Sequence, residues 1–147
     1  MVRHLRQVVK RLLLATLLFV QMCGCASQKT ETPNLVVPMS YFHAASALAV
    51  DDFGRAREFL KTVASASSGD LRTQAQAAAA ASDIEAMRAV FKGLTEAVVV
   101  NMSYPDDYAV AFCPMYKNGS KWIQKREAPI ANPYLGKSVP PCGAFVD

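Results

Sequence analysis

Six of the eight prolines in this 147-residue chain lie at or after Pro105, and the other two, Pro33 and Pro38, precede the first helical pattern. Proline removes a backbone donor and breaks helix interiors, so helix is disfavoured beyond Pro105, and the helical patterns of the domain lie between Pro38 and Pro105. Within that stretch Phe42, Ser46, Ala49, Phe53, Ala56, Leu60 and Val63 recur at alternating steps of four and three, which places them on one face of a helix. The spacing predicts a first helix over 39–65, ending before Ser67-Ser68-Gly69, with Gly54 as a weak point of about 1 kcal/mol relative to alanine. An alanine-dominated segment over 70–81 has strong helix propensity but only small side chains to pack. Ser82 and Glu85 form a capping-box pattern ahead of a third helix. Its stripe of Ile84, Met87, Phe91, Leu94 and Val98 is expected to meet Phe53 and Leu60 across an antiparallel pair. Helical character fades over 101–104.

Beyond Pro105 helix gives way to turns and short strands. Residues 108–113 read as a strand, Asn118-Gly119 as a tight turn, and 121–124 as the return strand of a short hairpin. Residues 128–142 are expected to form an ordered loop pinned by Pro129, Pro133, Pro140 and Pro141. The fold expected is therefore mainly α: an antiparallel bundle of about three helices, followed by a small C-terminal β-hairpin and ordered loop. It forms a single domain over 39–147, with a Cys/Met segment from about 105 onward.

The front of the chain reads differently. Residues 1–11 carry Arg3, Arg6, Lys10 and Arg11 and no acid, and 12–22 is an apolar run interrupted only by Thr16 and Gln21. This is the pattern of a secretory signal, too short for a stable membrane anchor. It ends in Met22-Cys23-Gly24-Cys25-Ala26-Ser27, which resembles a bacterial lipoprotein box. Cys25 is the lipidation candidate, because Gly24 precedes it whereas Cys23 follows the bulky Met22; cleavage after Ala26 would instead give a soluble exported protein. Residues 1–25 are thus assigned to a signal with a lipobox-like end and 26–38 to a polar linker. The expected location is the periplasmic side of the bacterial cell envelope, as an outer-membrane lipoprotein held to the membrane by its lipid. The signal holds four of the 16 basic residues, which leaves 12 against 12 acidic ones. With no Lys/Arg stripe interleaved with aromatics, nucleic acid drops out as a partner.

Catalytic patterns are lacking: there is no GxSxG, Walker loop or HExxH, and the one histidine beyond the signal is His43. Asp51-Asp52 and Asp106-Asp107 are adjacent, which splays carboxylates apart on a helix, so they read as solvated charge. No catalytic residue is assigned and no enzyme is expected. The sulfur residues are more informative. In an extended Cys113-Pro114-Met115, residues two apart face one side and present a thiolate with a thioether, ligands that favour monovalent copper or silver. Cys142 would close such a site if the proline-rich loop folds back, with His43 or Met39 as a further ligand. The same atoms also read as a Cys113–Cys142 disulfide closing a loop of about 30 residues, worth about 3–4 kcal/mol, with Met115 as core filling. Trp122 and Tyr134 carry the same two readings, as packing aromatics or as walls of a site. Spacing leaves both open.

Several stretches resemble one family. They are Cys-Pro-Met at 113–115, Gly119 and Trp122 in Gly-Ser-Lys-Trp-Ile-Gln, Ile130, Asn-Pro-Tyr-Leu-Gly at 132–136, and Cys142-Gly143. Upstream, Tyr41-Phe42, Ala47-Leu48, Asp51-Asp52, Asp83-Ile84, Arg88 and Phe91 agree as well. Together they are similar to uncharacterised bacterial periplasmic domains found alone in lipoproteins and fused to the adaptor subunits of copper and silver efflux pumps. The likeness covers roughly residues 38–145 and implies a helical domain with a Cys/Met segment in a heavy-metal setting. It places metal binding through Cys113, Met115, Cys142 and His43 ahead of the plain disulfide. The implied function is to pass copper or silver to a metal efflux system, or to regulate one, with a pump component or another envelope protein as partner. One departure stands out: that family commonly has a methionine shortly before the last Cys-Gly, whereas residues 137–141 here read Lys-Ser-Val-Pro-Pro. The alternative is a disulfide-stapled interaction module of the cell envelope that binds no metal.

Overall fold

The helical pattern that starts at Met39 does not run unbroken to 65. In the computed structural model, which describes residues 37–137 and 139–146, it divides into α1 (Met39–Ala49) and α2 (Phe53–Ala66). The Asp52 N–H donates to Ala47 O at 2.9 Å and the Asp51 N–H to Leu48 O at 3.2 Å. That pair of bonds is a Schellman motif, whose left-handed position usually carries glycine or asparagine and here carries Asp51 at φ 60. Asp52 then caps α2, its carboxylate accepting from the Arg55 N–H at 3.0 Å, which satisfies a donor that the helix itself leaves free. Among the described residues there are therefore four helices where the spacing predicted three.

The remaining helices are α3 (Gly69–Ala79) and α4 (Ile84–Asn101). The cap of α4 is Asp83 rather than Ser82. Its carboxylate accepts from the Ala86 N–H at 2.8 Å while Ser82 donates to its other oxygen. A carboxylate at this position also complements the helix dipole. Helix α1 is buried on several sides, through Tyr41, Phe42, Ala44, Ala45, Ala47, Leu48 and Ala49, as expected of an element apolar all round. The small Ala75, Ala78 and Ala79 of α3 are buried too. The elements packed on α4 are α3 and β2 (below), whereas α2 lies against α1 and α3. Phe91 of α4 stacks on Tyr41 of α1 with ring centroids 5.4 Å apart. The expected antiparallel pairing of α4 with Phe53 and Leu60 is thus replaced.

Strands β1 (Tyr108–Cys113) and β2 (Ser120–Lys125) form the expected hairpin, with Tyr108 opposite Lys125 and Cys113 opposite Ser120. Lys117 and Asn118 both have positive φ, 42 and 63, and the Gly119 N–H donates to Tyr116 O at 2.9 Å. Two successive positive φ values mark a type I′ turn, whose twist suits a hairpin. A third strand was not expected. After the proline-rich loop the chain returns as β3 (Ala144–Phe145), which pairs with the free edge of β1 to give the order β2-β1-β3.

Val37 and Pro38, the described part of the stretch assigned above to a linker, take part in the fold. Val37 is buried and donates its N–H to Ser103 O at 2.9 Å, and Pro38 precedes α1 as its N-cap. The signal, Cys25 and the rest of the linker lie outside the described residues. Among the described residues no helix is long and apolar enough to cross a membrane.

Candidate thiol-pair site

Strand β1 ends at Cys113, whose side chain is buried. Pro114 lacks the N–H that would continue the ladder, and the chain bends so that the backbone N–H groups of Met115 and Tyr116 point back at the Cys113 sulfur. The third strand supplies the other half. Phe112 stands opposite Ala144, so one step along the antiparallel ladder Gly143 comes beside Cys113. The Cys142 thiol then lies within hydrogen-bonding reach of Cys113. Gly143 permits this approach: it has φ 141, and a Cβ there would fall 2.5 Å from the Trp122 ring. Asn132, itself buried, joins the two halves. Its amide donates to Cys142 O at 2.8 Å and also reaches the Cys113 sulfur, while its Oδ1 accepts from the Tyr134 N–H at 2.8 Å.

The electrostatics of the pair follow from these bonds. Burial opposes a thiolate at Cys113, but donors from Cys142, Met115, Tyr116 and Asn132 together outweigh it and hold that thiol below its usual range. Cys142 moves the other way. Its bond to Cys113 favours the protonated form, and burial and the Cys113 charge add to the effect. The two sulfurs are free rather than joined, and of the two thiols Cys113 is the one whose ionised form its surroundings favour.

A polar frame holds the loop that delivers Asn132. Gln124 Oε1 accepts from Trp122 Nε1 at 2.8 Å and from the Ala131 N–H at 2.9 Å. Tyr134 donates its hydroxyl to Lys121 O at 2.6 Å, stacks on Tyr116 with centroids 4.9 Å apart, and has its pKa pushed well up by burial. Trp122 and Tyr134 are fully buried packing aromatics. Behind the loop stands Arg88, with a side chain only 4% exposed. Its guanidinium donates to Pro133 O at 2.9 Å, to Leu48 O at 2.8 Å, and to Asp51 and Glu85. Asp51 is therefore not solvated charge as expected. The hydrogen bond from Arg88 holds its carboxyl below the usual range against a partial opposing effect of burial, and it also accepts from the Lys137 N–H. Gly136 leaves room for this contact, since a Cβ there would lie 2.1 Å from Asp51 Oδ1. Sequence reasoning missed the role of Arg88. The signal was present: residue 88 falls four after Ile84 and three before Phe91, a charge on an apolar stripe.

Of the residues singled out for a metal, the structure brings together Cys113 and Cys142 alone. Met115 is 72% exposed and contributes its backbone N–H, so its side chain is neither core filling nor paired with the Cys113 sulfur. The bend after Pro114 is the reason, because the two-residue alternation holds only in extended chain. His43 lies on the exposed face of α1 with its ring 5.1 Å from that of Phe59. Among the described residues no group of three or more His, Cys, Asp or Glu side chains converges, so His43 does not join the cysteines. Met39 is likewise exposed. Asp106 and Asp107 are exposed as expected, Asp107 facing Lys125 at 3.5 Å. The chain matches no family model, no curated protein and no solved structure.

Proposed function

We propose that the chain binds a soft metal ion, copper or silver, between Cys113 and Cys142. The observation that carries this reading is the closeness of the two thiols, the buried Cys113 being the one whose ionised form is favoured by neighbouring donors. Thiolates are soft ligands, and a closed sulfur pair without carboxylates selects soft ions over magnesium or calcium. The likeness of the Cys-Pro-Met and Cys-Gly segments to those of envelope domains linked with metal efflux supports the same setting. In this reading the domain is exported by residues 1–25, lipidated at Cys25 and held on the periplasmic side of the outer membrane. Its work is capture and transfer without bond chemistry, with an efflux-pump component as recipient. Met115 and His43 stand outside the ligand set. The test is a titration of the reduced chain with monovalent copper, following sulfur-to-metal charge-transfer absorption. One ion per chain, abolished by Cys113→Ser and by Cys142→Ser, is expected; absence of binding refutes the reading.

The same sulfur contact favours a second reading, in which an oxidised Cys113–Cys142 staple braces an envelope interaction module. Counting thiols under denaturing conditions, with and without reductant, separates the two. The staple predicts none before reduction from the pair and no copper uptake after it.

A further inference from the structure

We infer that the cleft between α1, β2 and the loop at 128–131 is a binding site for a small organic anion, a single aromatic ring carrying a short carboxylate arm. The cleft is walled by all three elements and holds about 280 Å³. Neither cysteine lines it, so the inference goes beyond the metal reading and stands or falls apart from it. Its floor is apolar. The Phe42 and Tyr108 rings lie there with centroids 4.1 Å apart, and an aromatic guest gains from edge and face contacts with such rings beyond the area it buries. An apolar cavity of about 150 Å³ takes up benzene, so the volume here accommodates one ring with a short arm.

The third wall is fixed before any ligand arrives. Gln124 Nε2 donates to Pro129 O at 3.1 Å, and its Oε1 accepts from the Ala131 N–H at 2.9 Å. That side chain ties the loop to β2, and a site already formed loses little to ordering on binding. Charge then selects the guest. Among the described residues the lining includes Lys125 and His43 but no Asp or Glu. Lys125 faces Asp107 at 3.5 Å, with side chains 61% and 60% exposed. A pair this exposed is weak, so the ammonium is free to turn to a ligand carboxylate. His43, which the metal reading leaves unused, offers a ring N–H from the α1 side. The carboxylate is held at the mouth between these two residues while the ring lies over Phe42 and Tyr108.

The experiment titrates the full chain with 3-phenylpropionate and with its uncharged amide, 3-phenylpropanamide, following backbone amide shifts by NMR. The acid should bind with shifts centred on Phe42, Tyr108 and Ala131, and the uncharged probe should bind about tenfold more weakly. Lys125→Gln should weaken the acid by about three- to tenfold and leave the uncharged probe unaffected. Asp107→Asn, which releases Lys125 from its present partner, should tighten the acid. Both residues are exposed, so the variants keep the fold, and a merely structural Lys125 would not alter the preference for acid over amide. No binding of the acid at millimolar concentration, equal binding of the two probes, shifts centred elsewhere, an unchanged preference in Lys125→Gln, or a weaker acid in Asp107→Asn overturns the inference. None of these outcomes bears on metal uptake by the cysteines.

Discussion

Replacing Arg88 by leucine should cost the domain about 3–5 kcal/mol, the range seen when one partner of a buried ion pair is removed. The figure can be built from the contacts. Pro133 O would lose the donor now at 2.9 Å, and a buried acceptor left without a partner costs about 1–3 kcal/mol; Leu48 O would lose its 2.8 Å donor and keep only the longer bond from the Asp51 N–H. Asp51 adds little, because its side chain is 31% exposed and water can take over. Leucine keeps much of the aliphatic stem's packing, so the loss reports the guanidinium. For urea unfolding with a slope of about 1–3 kcal/mol per molar, the midpoint should fall by roughly 2 M. Arg88→Lys should recover only part of this, because an ammonium cannot span the planar fork of donors. Circular dichroism through a urea series, under reductant and at low and high salt, is the assay. A loss below about 1 kcal/mol, the scale of surface substitutions, or a loss that disappears at high salt as screened surface charge does, would refute the reasoning.

Oxidising the thiol pair should raise unfolding stability by about 3–4 kcal/mol, the chain-entropy value for a loop of this length, read as the difference in denaturation midpoint with and without reductant; no gain would show that closing the bond strains the sheet. Asp51 has a folded pKa below its unfolded one, so its contribution is present above the unfolded value near 4 and is lost as pH falls through the folded value. Asp51→Asn should accordingly flatten the loss of stability on acidification below about pH 4, and equal pH slopes for both proteins would contradict this. Gly143→Ala should destabilise by about 1–3 kcal/mol through overpacking against Trp122 and should slow disulfide formation in the pair, followed by thiol counting. Unchanged oxidation kinetics in a destabilised variant would detach Gly143 from the site.

The hairpin was legible because its signals are local: apolar residues over 108–113, an Asn-Gly turn and a return strand of matching length. The break between α1 and α2 was hidden because the steps of four and three continue across it, and because the left-handed position carries Asp51 where glycine would have announced a stop. That substitution is tolerated by virtue of Arg88 and the Lys137 N–H, partners 37 and 86 residues away, which no local reading can supply. The site was legible by composition and not by geometry. Cys113 and Cys142 stood out, but their contact depends on the register of a two-residue strand too short to leave a pattern. Met115 misled for the opposite reason. Its strand periodicity is sound up to Cys113 and is cancelled by the proline that follows.

The close packing of Gly143 on Trp122 gives the molecule its own optical gauge. The chain has a single tryptophan, and its indole lies under the glycine that follows Cys142. A change in the separation of the two sulfurs should be felt by the ring packed on that backbone, and heavy ions and disulfides near an indole quench its emission. Steady-state fluorescence of the unlabelled chain is therefore expected to change when the pair is oxidised, and an ion bound there should register in the same signal.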